Sequence, residues 1–485
     1  MKRWSLCLLI IGILAGNTLL AQTKVWSYSD CIAYALEHNI QMREAKYTQR
    51  TAELALFQAK KAFVPTITMG TSVNIGIGRT IDPFTNEFTN EPVFSNSWNA
   101  NVSMPIFQGF RLHANLEKAK NSLENNQLNQ EKTVRDLKIQ IANSFLQVLF
   151  NHEQLKNAKR QLKLSQAQLQ RTQKLIKAGR LPQNNSYELM VQIASGEAQI
   201  ISAESSLLLS KLQLKQLLAL PVEETFEINY PPIEEPDSTF LVSSIESIYQ
   251  LANGMQENRI NQIAIRQAEI DFKQAKRAYL PSFSISYGIG TGYSSQTVNF
   301  LPGQGEPQRF VSPIGFVSND GGITQGDLVY QESFSIPDPV IQKMPLRDQF
   351  SQNFNQSTNI GVNIPFLSSA SSLKQGLRST RIALERARMT ADNAKNQMKQ
   401  SLLQQFTQAQ AAYQTYKINR KKLEVQEIAF QAAESRYQKG LLNTLDYVTA
   451  KNNLLSSQNE LLRSKYDAVL KIKLLYFYMG EELHF

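Results

Sequence analysis

The same ten-residue passage occurs twice in this chain. It reads A-K-K-A-F-V-P-T-I-T from Ala59 to Thr68 and returns as A-K-R-A-Y-L-P-S-F-S from Ala275 to Ser284. In both copies a helical pattern stops at a proline, Pro65 or Pro281, and an alternating pattern starts at once. Proline has no N–H for a helix to use, and it pushes the preceding residue toward extended geometry. The chain therefore makes the same helix-to-strand transition twice, and a duplicated architecture is predicted. The later parts of the halves match too. N-A-N-V-S-M-P-I-F (Asn99 to Phe107) parallels N-I-G-V-N-I-P-F-L (Asn359 to Leu367), and each leads into a very long helical pattern. Each long pattern meets a glycine turn, in L-I-K-A-G-R-L (Leu175 to Leu181) and R-Y-Q-K-G-L-L (Arg436 to Leu442).

The first repeat is expected over residues 22–238 and the second over 239–485. Strand pairs are expected near 65–107 and 281–366, long helices near 109–178 and 370–439, and return helices near 184–220 and 443–479. Shorter helices, Gln41 to Lys61 and Gln256 to Arg277, precede the strand pairs. A Pro- and acid-rich linker, 221–238, joins the halves and has room for one strand, Phe226 to Tyr230. From Phe110 to Ala178 there are 69 residues without Gly or Pro, and from Leu377 to Lys439 another 63. As helix the first run would span roughly 100 Å at ~1.5 Å per residue. Apolar and small residues recur at three- and four-residue spacing: Val134, Leu137, Ile141, Phe145, Val148, and again Ala387, Ala391, Ala394, Met398, Leu402. That is coiled-coil spacing. Gly179 and Gly440 allow each long helix to turn back as an antiparallel hairpin.

The four predicted strands alternate. Ile67, Met69 and Val73 stand on one face of the first, and Trp98 and Val102 on one face of the second. Phe283, Ile285 and Tyr287 do so in the third, and Ile360, Val362 and Ile364 in the fourth. The other face is Ser, Thr, Asn and Gly. A soluble amphipathic sheet is one reading, but its wet face ordinarily carries charge, and these runs have none. Runs of about ten residues suit transmembrane β-strands. Four strands cannot close a barrel, and lipid does not tolerate open edges. A spanning barrel would be shared, and three chains would supply twelve strands.

Lys2 and Arg3, an apolar run from Leu6 to Leu14 and the ending Leu19-Leu20-Ala21 read as a secretory leader over residues 1–21. The run is too short for a membrane anchor helix. Without the leader the formal charge falls from +10 to +8, since Lys2 and Arg3 are its two charged residues. Basic residues are spread among Asn, Gln and Glu, with no aromatic-interleaved block, so nucleic acid is not an expected partner. Cys31 is left without a partner cysteine and reads as a small, half-buried side chain in the first helix. His38, His113, His152 and His484 are scattered, and there is no phosphate loop or nucleophile motif. Neither catalysis nor a cofactor is expected.

Together these features resemble the outer-membrane efflux protein family, the TolC-like channel-tunnels. The resemblance covers nearly the whole mature chain. Its most specific parts are the paired A-K-x-A-x-x-P boundaries and R-Y-Q-K-G-L-L-N-T-L-D-Y-V-T-A (Arg436 to Ala450). It implies an α+β membrane protein and a homotrimer. Four strands per chain would make a twelve-stranded outer-membrane β-barrel, continued by a long periplasmic α-helical coiled-coil barrel in a Gram-negative bacterium. It implies a passive conduit whose partners are outer-membrane lipid, a periplasmic adaptor (membrane fusion) protein and an inner-membrane RND, ABC or MFS transporter. The turns Gly179-Arg180-Leu181 and Gly440-Leu441 would form the docking tip. By position, Tyr437 matches a gate tyrosine and Asp446 an acidic ring at the constriction. The gate arginine is replaced by Leu442. A second acidic position holds Thr449, and the carboxylate expected on the other hairpin is Asn185. The family's charged lock therefore does not form as such. A second class of protein, a periplasmic coiled-coil adaptor or scaffold, also accounts for the leader and the helices. It does not account for four uncharged alternating strands at proline boundaries.

Overall fold

The computed structural model describes residues 25–239, 256–303, 305–316, 328–365 and 367–485. The expected leader and Phe366 lie outside them. In chain order the elements are β1 (Val25–Trp26), α1 (Tyr28–His38), α2 (Ile40–Lys61), β2 (Thr66–Gly76), β3 (Thr80–Ile81), β4 (Phe88–Thr89), β5 (Val93–Gln108), α3 (Arg111–Lys177), α4 (Asn184–Leu218), β6 (Glu227–Ile228), α5 (Gln256–Arg277), β7 (Ser282–Ser294), β8 (Val298–Leu301), β9 (Gln308–Phe316), β10 (Leu328–Ser335), β11 (Val340–Lys343), α6 (Leu346–Gln352), β12 (Asn355–Asn363), α7 (Leu367–Gln438) and α8 (Thr444–Tyr478). They form two compact units, and each draws on both repeats. One holds the described residues up to Phe57, within 117–272 and within 378–485, and the other those of 58–116 and 273–377.

The first unit is built on the breaker-free runs. α3 has 67 residues and α7 has 72. α7 starts before its run and passes through Gly376, which a helix tolerates at about 1 kcal/mol relative to Ala. Ser27 and Asp30 cap α1 reciprocally. Asn39 then breaks the helix: its side-chain amide donates to the Leu217 carbonyl at 2.7 Å and its Oδ1 accepts the Gln41 amide at 2.8 Å. The core lies where α1 meets the stripe Leu137, Ile141, Phe145 and Leu149 of α3 and the end of α4 at Leu214 and Leu218. Cys31, read as half-buried, is wholly enclosed there, because α1 presents its narrow face, Cys31 and Ala35, to that stripe. Phe485 closes the same cluster, edge-on to Tyr28 at 4.8 Å. The linker strand contracts to β6, paired parallel to β1. The buried Lys215 ammonium holds the linker by donating to the Val222 and Glu224 carbonyls at 2.6 Å each. α5 runs antiparallel to α3 along three ion pairs, Lys118–Asp271, Glu124–Arg266 and Arg135–Glu257.

The second unit is a four-stranded antiparallel sheet in the order β12-β7-β5-β2. The duplicated passage makes the same turn in both copies. The Val64 amide donates to the Lys61 carbonyl at 2.9 Å, and the Leu280 amide to that of Arg277 at 3.0 Å. The register puts the apolar positions on one face. Ile67, Val102 and Tyr287 form one row, and Met69, Ala100 and Ile289 the next. Ile285 lies between Met104 and Ile360, and Phe283 between Phe107 and Val362. Val73 continues this face and is exposed. A bulge between Pro105 and Phe107 keeps the pattern in step where Pro105 has no N–H for the ladder. The opposite face is mostly Ser, Thr, Asn and Gly, with Val93 buried at one end and Pro105 and Gln108 near the other.

One expectation for the sheet needs correction. Ile364 lies one residue beyond β12, because its partner position would be Pro281, which has no amide to donate. Trp98 is on the apolar face but is partly covered, since Phe350 of α6 packs edge-on against it at 4.5 Å. The described residues between β7 and β12 carry structure of their own. β8 pairs with β11, and β9 with β10. Prolines 302, 313 and 337 interrupt the alternation and hide these strands in the sequence.

At the junction of β5 and α3, Gly109 and Phe110 are both left-handed, with φ of +55° and +62°. A Cβ added at Gly109 would stand 2.9 Å from the Arg277 carbonyl oxygen. Gly109→Ala is therefore expected to destabilise the fold by about 1–3 kcal/mol of backbone strain, with the contact in addition. Thermal unfolding in detergent should show a lowered midpoint.

Candidate functional site

The two hairpin turns close alike. Gly179 and Gly440 have φ of +69° and +72°. Each glycine amide donates to a carbonyl three residues back, Ile176 or Tyr437, and the next amide to one five back, Leu175 or Arg436. This closure places the glycine in the left-handed region, which an L side chain occupies at a cost. An added Cβ would meet nothing at either position, so the requirement is conformational and not steric. Arg180 and Leu441, the residues after the glycines, are exposed, and Leu181 is half-buried.

α8 starts at Asn443, whose Oδ1 accepts the Asp446 amide at 2.8 Å. Asp446 is exposed in the first turn, where the helix dipole favours a carboxylate. Thr449 is exposed on the next turn, and its hydroxyl donates back to the Leu445 carbonyl at 2.8 Å. Asn185 is half-buried in the first turn of α4, which no side chain caps from Gln183. Within one chain Tyr437 is not hydrogen-bonded to Asn185. Its ring stacks on Tyr447, centroids 4.5 Å apart and planes 17° apart, and its hydroxyl lies 3.4 Å from that of Thr444. Leu442 is half-buried beside this hairpin turn.

Two residues of this region escaped the sequence reading. Tyr447 is buried, between Tyr437 and Phe430. Lys451 is only 5% exposed, and its ammonium donates to Ser165 Oγ of α3 at 3.1 Å. It therefore ties one hairpin to the other, and Gln192 with Asn452 adds a second tie at 3.3 Å. Lys451 stands four residues after Tyr447 and three before Leu454, on an apolar stripe where a charge is out of place. That was the available signal. Burial pushes its pKa down to about 8, against the opposing pull of Glu434 on α7. Nearby on α3, the buried Thr172 hydroxyl has no hydrogen-bond partner.

Comparison with known proteins follows the two halves. The sequence matches the family described as outer membrane efflux protein over residues 31–220 and 259–481. The chain belongs to that family. This efflux-family chain is 26% identical, over 114 residues, to the outer membrane efflux protein BepC of Brucella suis biovar 1 (strain 1330). That stretch spans 24% of this chain and a quarter (25%) of BepC. Among solved structures, CusC, described as forming a transmembrane channel, superposes with a TM-score of 0.72 at 15% identity, covering 96% of each chain. The outer membrane protein VceC of Vibrio cholerae gives 0.68 at 16% identity, covering 93% of this chain and 96% of VceC. The open state of the MtrE outer membrane channel of Neisseria gonorrhoeae gives 0.68 at 15%, covering 93% and 88%. At these identities the likeness is one of fold. The family and the α+β class expected from sequence are borne out. Among the described residues no helix is long and apolar enough to cross a membrane.

Lys451 carries a measurable consequence. Its folded pKa, about 8, is below the ordinary 10.5. Between those pH values the unfolded chain holds a proton that the folded chain does not. Stability from this group therefore rises as pH climbs through that window and is flat below it. Lys451→Met should remove this slope and stabilise the chain at pH 7 by about 1–3 kcal/mol. Thermal unfolding of both proteins at pH 7 and pH 10 checks it.

Proposed function

We infer that this chain is the outer-membrane channel of a tripartite export system, three copies forming a twelve-stranded barrel continued by a periplasmic helical tunnel. The observation that supports it most is the sheet. Its register gathers the apolar rows on one face and leaves β2 and β12 each unpaired on one side. Unpaired backbone groups are not tolerated in hydrocarbon. Pairing β12 of one copy with β2 of the next satisfies both edges without any added element. The apolar face then meets lipid, and the Ser, Thr, Asn and Gly face lines the pore.

The long helices α3 and α7 supply the tunnel, and their glycine turns the tip that meets a periplasmic adaptor protein. An inner-membrane RND, ABC or MFS transporter supplies the energy. The channel is passive, with neither catalysis nor cofactor. At the tip, Asp446 of three copies is an acidic ring. With Leu442, Thr449 and Asn185 in place of charged residues, these positions form no charged lock, and within one chain the hairpins are tied by Lys451 to Ser165 and by Gln192 to Asn452. The alternative, a periplasmic adaptor or scaffold, leaves the apolar sheet face without a use.

Mass measurement in detergent should give three copies, and a stable folded monomer in the membrane would sink the reading. Ile285→Arg or Val362→Arg should impair membrane insertion, by roughly 2–4 kcal/mol for a charge at the midplane. Ser284→Arg or Asn363→Arg, on the other face, should be tolerated better; equal damage in outer-membrane levels would refute the assignment of faces.

The tip is tested separately. Gly440→Val strains a left-handed position in open space. It should leave the trimer and its outer-membrane level near normal while lowering export in cells that contain the adaptor. Unchanged export would count against docking at this turn.

A further inference from the structure

We propose that Phe84 sets the bore of the pore at its outer end, held there by a latch between Asp82 and Ser294. The proposal rests on the channel reading, because that reading turns the Ser, Thr, Asn and Gly face toward the pore. On β7 this face is carried by Gly288, Gly290, Gly292 and Ser294, opposite Asn101, Asn99, Ser97 and Ser95 of β5. A Cβ added at Gly292 would fall on the Phe84 ring, 2.6 Å from Cε1 and closer still to Cζ. The phenyl ring thus occupies the place of a side chain at position 292. It is an aromatic surface laid on a lining that is otherwise small and polar, at the end of the sheet where the loops emerge.

The ring is not on a loose loop. β3 and β4 pair, and the connection between them is closed by the Asp82 amide donating to the Glu87 carbonyl at 3.0 Å and the Asn86 amide to that of Asp82 at 2.9 Å. Asp82 is 1% exposed. Its Oδ1 accepts the amides of Phe84 at 2.8 Å and Thr85 at 2.9 Å, and its Oδ2 accepts the Ser294 hydroxyl. A buried carboxylate needs such donors, since an unpaired one is costly to bury. Ser294 is itself held from α6, its amide donating to Gln349 Oε1 at 2.8 Å while Gln349 Nε2 donates to the Met344 carbonyl at 3.0 Å. The latch therefore links the loop after β2 to the segment between β7 and β12.

In a threefold assembly three Phe84 rings would stand at one level. None of the four strands carries a charged residue.

Single-channel recording of the reconstituted full-length protein tests this. A Phe84→Cys protein is exposed from the outer side to a bulky thiol reagent, with the untreated protein and treated wild type as controls. Conductance is expected to fall on labelling in the variant alone. Phe84→Ala and Asp82→Ala should each raise the size cut-off for neutral polymers entering from the outer side. Comparing one protein before and after labelling removes any question of misfolding. Pores from wild type, with no response to labelling at position 84 and an unchanged cut-off in Phe84→Ala, would overturn the proposal and leave the channel reading standing. No pores from wild type would overturn the channel reading itself.

Discussion

The pairing of β5 with β7 is the interaction on which the rest of the sheet depends. It joins the two repeats, which otherwise contribute one hairpin each. It also sets the phase of every side chain. Because side chains alternate with a period of two, a slip of one residue would move a whole apolar row to the other face. The observed register places Met104 against Ile285 and Ala100 against Ile289, so the apolar rows cross β2, β5 and β7, and the face reaches β12 at Ile360 and Val362. The bulge at Pro105 is part of this. Without the extra residue, the missing N–H would break the ladder near Phe107, and Phe107 would not stand beside Phe283 and Val362.

A different economy holds in the helices. Few of their interactions are strong, and most are repeated. The ion pairs between α3 and α5 are spread over nearly the whole of α5. Most are partly exposed, and each such pair contributes only about 0–1 kcal/mol. Their worth is in register: three oppositely charged pairs at matched spacing fit one sliding position of the two helices and penalise others. Arg135 is the most enclosed of these cations, and its pairing with Glu257 raises its pKa further while holding that of Glu257 below its ordinary value.

Much of the fold was legible because its punctuation is local. Pro65, Pro281, Gly179 and Gly440 act through their own backbone geometry, and no distant partner is needed to read them. The alternation in the four strands was legible for the same reason, and the register then turned it into a face. What escaped depends on residues far apart in sequence. Asp82 meets Ser294 across 212 positions, and Lys451 meets Ser165 across 286. In sequence Asp82 is one more polar residue in a Pro- and Asn-rich loop, and its burial is invisible until the loop folds back. The boundary at Ile364 was missed differently. Its alternation was right, but the ladder partner it would have needed was the proline already used to start β7.

The contacts that join the two hairpins differ in kind from the core near Phe145. That core is apolar and wholly enclosed, and opening it would expose a large hydrophobic surface. Where Lys451 of α8 meets Ser165 of α3, both groups are buried, and Thr172 is buried farther along α3. The lysine has one neutral hydrogen-bond acceptor, and the threonine has no partner. The ammonium and the unpartnered hydroxyl would each be better solvated in water than where they lie, so separating the hairpins returns part of what docking them costs. A seam of this composition is weak by construction, while the fold above it stays closed. In the channel reading the tip must part for cargo and close again, and such a seam suits that cycle. An apolar seam of equal area would hold the hairpins together at the one place where the channel reading requires them to move.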